Sequence, residues 1–567
     1  MIFLWVFGSE FLMGNIDYFR ILFVFVGGLG LLLYGMQIMA DGLQKVAGSK
    51  MKKILEALTQ SKFMSVIVGA LVTGLVHSST AVTVMTVGFV NAGLMNLSQT
   101  VGIIMGANIG TTVTSWLISS VEWLGIFSPS NLAPLSVGIG AGMFLFCKKE
   151  KFKQTGLIIT GFGILFMGMN QITEACVPLK DLPYIKNAFA DMGKNPLLGM
   201  LTGIIVTAIL HSSAASVGIL QSLALLNLIP WNSAVYIIMG QNIGTCVTTL
   251  FSSIGTSKNA KATAYLHLIF NLIGSLIFSF IAIIYFVFIR PDLGNNFIDA
   301  TQISIIHSVF NLSTTFLLYP FSDWIIKIAE FLVKNIKDED GDSIARLDVR
   351  ILNNPNFAVQ SCVKEIIRMG YMAEKNLRLC IKVLFDPKED LIKEILEREK
   401  QIDILSHAII KYLVKICNIN MARKENKFMT KLFHTVNDIE RVGDHCENLA
   451  EVAEYLKSEE LSFLAKEKNE LRELFDLTLE CYDSSIKALE ENNKLTAQKT
   501  VLLEQKVDAL EKNLRNKTIS RLSKGNYEPK LSVAFFDAIN NLERIADHAL
   551  NISRVVLKYK KANKNQN

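Results

Sequence analysis

The chain has 567 residues, half of them hydrophobic, with a mean hydropathy of +0.35 and a formal net charge of +6. The length allows more than one domain and the hydropathy points to a membrane. So small a charge, without a concentrated basic patch, argues against a nucleic-acid partner, and eight scattered cysteines with no C-x-x-C argue against a zinc site or a disulfide framework.

The apolar first 13 residues contain Glu10 and lack a basic leading region, so they do not read as a cleaved signal peptide. Apolar segments of spanning length follow at about 20–40, 100–118, 132–147, 155–175, 234–253, 263–289 and 302–320. Two further segments, about 63–95 and 197–230, are each long for one span and short for two. Near their middles lie His77-Ser78-Ser79-Thr80 and His211-Ser212-Ser213, 134 residues apart. Polar groups inside apolar sequence are costly unless they are used. Each segment is therefore expected to be a re-entrant helical hairpin with its cluster at the tip, facing a cavity.

Loop charges set the topology. Lys45, Lys50, Lys52, Lys53 and Lys62 follow the first span, Lys148, Lys149, Lys151 and Lys153 the third, and Lys258 and Lys261 the fifth; the loop 119–131 has no Lys or Arg. With basic loops inside, the hairpins leave the chain on the side it started from. That predicts an outside N-terminus, seven full spans and a cytoplasmic tail.

The repeat extends past the clusters. Gly106-Ala107-Asn108-Ile109-Gly110-Thr111-Thr112-Val113-Thr114 matches Gly240-Gln241-Asn242-Ile243-Gly244-Thr245-Cys246-Val247-Thr248 at the same offset, and Tyr34-Gly35-Met36 matches Met167-Gly168-Met169 at 133. An odd number of crossings separates the copies, so the second is expected to be inverted, the build of secondary transporters. Hydroxyls of Ser78, Ser79, Thr80, Ser212 and Ser213 together with helix N-termini suit an oxyanion. Oxygens of Asn108, Thr111, Thr112, Asn242 and Thr245 suit sodium, and scarce carboxylates in the spans favour sodium over proton coupling. The plainer alternative is that Ser and Thr bond their own i−4 carbonyls; duplication at one offset weighs against that as the whole account. His77 and His211 are expected beside the ligand, and His307 is read as structural.

On these residues, about Gly30 to Pro320 resembles the sodium-phosphate cotransporter family related to the type II animal transporters. The resemblance implies two inverted halves whose Gln-Ser-Ser-Ser segments bind phosphate and sodium. Here His77 and His211 replace Gln, while Thr80 and Ala214 replace the third Ser. A histidine at this point would make anion affinity depend on pH.

Residues 337–343 (Lys-Asp-Glu-Asp-Gly-Asp-Ser) read as a charged linker, extending to 354, and 561–567 as a disordered tail. Between them six helices are expected at about 356–384, 388–417, 427–457, 463–491, 494–523 and 530–560. This half repeats at 103 residues: Glu440-Arg441-x-x-Asp444-x-x-x-Asn448 matches Glu543-Arg544-x-x-Asp547-x-x-x-Asn551, preceded by Glu399/Asp403 and Glu504/Asp508. Spacings of four put each pair on one helix face, and such oxygen clusters suit a divalent cation; a salt-bridged helix surface is the plainer reading. Residues 355–560 resemble PhoU, a phosphate-signalling regulator. That resemblance implies two three-helix bundles with metal clusters, without naming the metal.

The expectation is thus an all-α protein. It has a polytopic membrane domain over 1–336, with inverted repeats at about 20–147 and 155–289 and a last span at 302–320, followed by a PhoU-like domain. Its expected function is sodium-dependent phosphate transport in a bacterial plasma membrane, not an enzyme activity. Expected partners are inorganic phosphate, sodium, the lipid bilayer, a second copy of the chain and phosphate-signalling proteins. Another oxyanion, or a phosphate sensor with little transport, are the rival readings, and the sequence does not choose between uptake and export.

Overall fold

The computed structural model describes residues 18–56, 61–334, 347–353, 355–418, 423–523 and 528–559. The N-terminal 13 residues, the expected linker 337–343 and the tail 561–567 lie outside the described residues. The chain divides into two units, Met1–Gly341 and Asp342–Asn567.

The main helices of the first unit are α1 Tyr18–Glu56, α2 Lys62–Val76, α3 Ser79–Asn91, α4 Leu97–Ser119, α5 Pro129–Phe146, α6 Glu150–Cys176, α7 Pro183–Lys194, α8 Pro196–Leu210, α9 Ser213–Ala224, α10 Trp231–Ser252, α11 Lys258–Ile284, α12 Ala300–Leu318 and α13 Ser322–Val333. Polar residues start several of them: Ser61 caps α2 and Asn195 caps α8, while Asn96 with Gln99 and Asp299 with Gln302 form capping boxes on α4 and α12. Glu122 also accepts from the Ala300 and Thr301 N–H groups, both at 2.8 Å, placing a second carboxylate at the positive end of α12.

Among the described residues, six helices are long and apolar enough to cross a membrane, or seven if the bent α7–α8 pair counts as one span. The seven spans expected from sequence included 302–320, but α12 is not among the six. Gln302, His307 and Asn311 lie within it, and a helix whose polar side is buried in protein has too low a mean hydropathy to register. Helix α7 was missed altogether. It is amphipathic and meets α8 at 111°.

The two polar clusters fall at helix breaks. Helices α2 and α8 have 15 residues each, about 22 Å, which is short of a bilayer core. The chain then reverses. Val72 and Val82, and Val68 and Phe89, line one small internal space between α2 and α3. Gly203 and Met200 of α8 press on Ile237 and Gly240 of α10, and Leu220 and Ala224 of α9 cluster with Ala234, Ile237 and Ile238 of the same helix.

Glycine contacts reveal how the halves are related. A Cβ added at Gly28 would stand 2.8 Å from the Gly168 carbonyl oxygen, and one at Gly35 would stand 2.7 Å from that of Gly161. Gly161 and Gly168 are the counterparts of Gly28 and Gly35 at the 133 offset. The contacts are therefore reciprocal, as a two-fold axis requires. They also run in opposite chain directions, so α1 and α6 are antiparallel. Only an axis perpendicular to both helices can exchange them, which makes the repeat inverted. Helices α2, α3 and α4 thus correspond to α8, α9 and α10.

Helix α12 finds its counterpart in α11, at an offset of 40. Thr315 Oγ1 donates to the Met105 carbonyl (3.5 Å) and Ser275 Oγ to that of Met239 (3.1 Å). Both residues of one bond map onto both residues of the other. The last helix of the unit thus stands against the first half as α11 stands against the second.

In the second unit, helices α14 Pro355–Phe385, α15 Glu389–Cys417, α16 Arg423–Ser458, α17 Ala465–Glu491, α18 Lys494–Ser523 and α19 Pro529–Tyr559 form two three-helix bundles. They lie close to the six expected segments. Buried stripes such as Ile395, Ile402, Ile409 and Ile416 on α15 supply the core.

Candidate functional site

Each polar cluster is built in the same way. His77 closes α2 in the left-handed region (φ 54°), its N–H donating to the Thr73 carbonyl at 2.8 Å. His211 closes α8 at φ 53°. The next residue opens the return arm: Ser78 Oγ accepts from the Ala81 N–H and Ser212 Oγ from the Ala215 N–H, both at 3.2 Å. These two serines are therefore N-caps, with their O–H still able to donate outward.

The two tips meet. Ser79 Oγ and Ser213 Oγ, 134 residues apart, are 3.5 Å from each other, and both residues are buried. Thr80 Oγ1 donates to the His211 carbonyl at 3.4 Å. Two helix N-termini, those of α3 and α9, are thus brought to one point. Each carries about half a positive charge in its free N–H groups. Like ends repel, so the arrangement favours a bound anion, and N–H groups with hydroxyl donors are the chemistry that holds an oxyanion.

Each histidine also has a partner on a neighbouring helix. His77 Nδ1 pairs with Thr114 Oγ1 at 2.9 Å, and His211 Nδ1 with Thr248 Oγ1 at 3.1 Å. Each therefore ties its tip back to the neighbouring long helix, α4 or α10. Sequence reasoning does not single out Thr114 and Thr248, although both lie in the repeated stretch.

The Asn-Ile-Gly-Thr residues bond within their own helices. Asn108 and Asn242 donate to the Ile104 and Ile238 carbonyls, Thr111 and Thr245 to those of Ala107 and Gln241, and Thr112 to that of Ile109. The plainer reading thus holds for their donors. Their oxygens keep free lone pairs and remain usable as cation ligands. The glycines have a packing role, since Gly106 and Gly240 bring α4 against α2 and α10 against α8.

In the second unit, acidic side chains of neighbouring helices act on one another. Burial, with Glu447, Asp403, Asp444 and Glu440 nearby, pushes the Glu399 carboxyl up to about 7. In the other bundle, burial and then Asp508 and Asp547 raise Glu504, and burial and then Asp547 and Asp508 raise Glu543. Carboxylate oxygens are the donors a hard cation takes, but among the described residues no three His, Cys, Asp or Glu stand in a group that could hold a metal ion. Asn448 and Asn551 face elsewhere. Asn448 Nδ2 donates to Asn541 Oδ1 (3.1 Å) and Asn551 Nδ2 to Asp438 Oδ1 (3.4 Å), across the α16–α19 contact. The adjacent histidines repeat the pattern: His445 pairs with Asn541 and His548 with Asp438, both at 2.9 Å, and their rings lie 5.6 Å apart. Asn541 is the counterpart of Asp438 at the 103 offset, so the bundles too are related by a two-fold axis.

The first unit is an inverted-repeat, multi-pass membrane protein with an anion-favouring centre. The comparisons make the class specific: residues 31–174 and 183–289 match the Na+/Pi-cotransporter family, and residues 366–453 and 471–556 match the PhoU domain. By these matches the first unit resembles the Na+/Pi-cotransporter family and the second the PhoU domain. It is 25% identical over 459 residues to the Escherichia coli K12 protein named "Putative inorganic phosphate export protein YjbB", covering 80% of this chain and 82% of that one. A Thermotoga maritima protein, named phosphate-specific transport system accessory protein PhoU homolog 1, is 27% identical over 194 residues, covering 34% of this chain and 83% of that one. A crystal structure of PhoU from Pseudomonas aeruginosa aligns at 21% identity and a TM-score of 0.35, over 36% of this chain and 99% of that one.

Proposed function

We propose that this chain moves inorganic phosphate across a bacterial plasma membrane, coupled to sodium, with the second unit on the cytoplasmic side as a regulator. The observation that carries the reading is the meeting of two helix N-termini at Ser79 and Ser213 on the axis of an inverted repeat. There His77, Ser78, Ser79, Thr80, His211, Ser212 and Ser213 form or brace the phosphate cradle, and the oxygens of Asn108, Thr111, Thr112, Asn242 and Thr245 serve sodium. The relative named for phosphate export favours outward movement, and the basic loops favour a cytoplasmic second unit. Proteoliposomes holding the native chain should pass labelled phosphate when a sodium gradient is imposed, and excess arsenate should compete better than sulfate. Flux that ignores sodium would remove the coupling; no phosphate flux under either gradient direction would remove the transport reading and leave a sensor.

In the second unit the reading includes a divalent cation at each acidic face. Glu399, Asp403, Glu440 and Asp444 would hold one, and Glu504, Asp508, Glu543 and Asp547 the other, the cation supplying the positive charge that the crowded carboxylates lack. For the full chain in detergent, manganese at about a hundred times its Kd should stabilise the second unit by about 2.7 kcal/mol, a rise of several degrees in its unfolding temperature. Chelation should reverse the shift and Glu399→Gln with Glu440→Gln should shrink it. An unfolding temperature that neither manganese nor magnesium moves counts against metal binding.

A further inference from the structure

A second duplicated motif lies outside the tips. His267-Leu268-Ile269-Phe270-Asn271 on α11 matches His307-Ser308-Val309-Phe310-Asn311 on α12, and both histidines are 1% exposed. In each copy the asparagine amide donates to the histidine carbonyl, at 3.1 and 2.8 Å. The 40-residue offset is the one that relates α11 to α12 about the two-fold axis, so the two histidines occupy equivalent positions behind α10 and α4.

Their side chains are nevertheless used differently. His267 Nδ1 pairs with Thr249 Oγ1 at 3.0 Å, Thr249 Oγ1 with Thr83 Oγ1 at 3.1 Å, and Thr83 Oγ1 with the Thr80 carbonyl at 3.1 Å. Thr249 and Thr83 are both buried. The direction of the chain is fixed from its end. A carbonyl only accepts, so Thr83 donates to Thr80, Thr249 donates to Thr83, and His267 must present Nδ1–H to Thr249. The line runs from the second half of the unit into the first tip, where the Thr80 hydroxyl goes on to the His211 carbonyl.

The other half has no such line. The counterpart of Thr249 is Ser115, which is taken by Ser304 at 2.9 Å and Gln221 at 3.3 Å. The counterparts of Ser304 and Gln221 are Ala264 and Val87, which offer nothing to compete for Thr249, and the counterpart of Thr83 is Val217. His307 Nδ1 is accordingly left without a partner.

We propose that His267 is a positioning residue that holds the first tip of the anion cradle in register through Thr249 and Thr83, with no equivalent at the second tip. The proposal rests on the transport reading above for its functional readout. Loss of the line unties α3 from α10 and α11 beside the tip, so phosphate half-saturation should rise about fivefold with the maximal rate little changed. Thr83→Val is the sharpest variant, because valine already stands at the equivalent position 217. His267→Leu should behave like it. His267→Asn should recover near-native half-saturation, since its amide can donate from the place of Nδ1, whereas His267→Gln, which mimics Nε2, should not. Native flux with unchanged half-saturation in Thr83→Val and His267→Leu overturns the proposal and leaves the transport reading standing. Should the native chain carry no phosphate, the transport reading fails, and 15N spectra of histidine-labelled protein decide the tether. A resonance lost in His267→Asn that reports an Nδ1–H tautomer and moves in Thr83→Val supports the line; an Nε2–H tautomer, or no movement, overturns it.

Discussion

Removing the two hydroxyls at the axis, with Ser79→Ala and Ser213→Ala together, should reduce phosphate flux at least a hundredfold while the protein stays folded. The two oxygens are 3.5 Å apart, at the ends of helices whose free N–H groups converge on one point. A hydrogen bond from a hydroxyl to a charged acceptor contributes about 1.5–3 kcal/mol, and two such bonds lost from one anion amount to a hundredfold or more in affinity. Either single change should cost about tenfold, and by similar amounts, because the axis makes the two serines equivalent. Alanine is compatible with the first turn of a return arm, as Ala214 in α9 already shows at the position where α3 has Thr80. Detergent-solubilised variants should therefore unfold within a few degrees of the native chain. Folded protein with native flux in the double variant would place the substrate elsewhere. A large loss in one single variant and none in the other would mean that the two tips do not share a ligand.

The breaks at His77-Ser78 and His211-Ser212 were legible because polar residues in an apolar run, repeated at one offset, have few explanations. The helices of the second unit were legible from apolar periodicity and breakers such as Asp386-Pro387. Partners were less so. Nothing in the spacing of His77 says that its Nδ1 pairs with Thr114; that shows only when the left-handed tip is seen against α4. Asn448 and Asn551 sit in the acidic motif by sequence but face the other bundle, because Asn541 and Asp438 stand opposite them. From sequence, α12 reads as a trailing span. Its equivalence to α11 is hidden by a 40-residue offset unlike the 133 or 134 of the rest, and by polar residues that become buried only when the halves close on each other.

Close helix packing in the first unit leads to the second large effect: Gly106→Ala or Gly240→Ala should unfold or mispack the membrane unit. A Cβ at Gly106 would lie 2.0 Å from the Val66 carbonyl oxygen, and one at Gly240 would lie 2.0 Å from that of Met200. The obstacle in each case is helix backbone, which cannot turn aside as a side chain can. Relief requires α4 to move off α2, or α10 off α8, by more than an ångström, and that movement carries with it the tips that α2 and α8 support. Without a hydrophobic driving force between helices in lipid, contacts of this kind are what hold them together. Overpacking of a tight interface costs about 1–3 kcal/mol, more where backbone must shift, and each kcal/mol moves the unfolding temperature of a unit this size by about 1–2 °C. With backbone obliged to shift, a fall of roughly 3–6 °C is expected for each variant. Gly138→Ala in α5 is the control, since nothing lies within 4 Å of an added Cβ there, and alanine is the better helix former by about 1 kcal/mol. If Gly106→Ala and Gly138→Ala melt together, the close approach of α2 and α4 is not what holds the first tip in place.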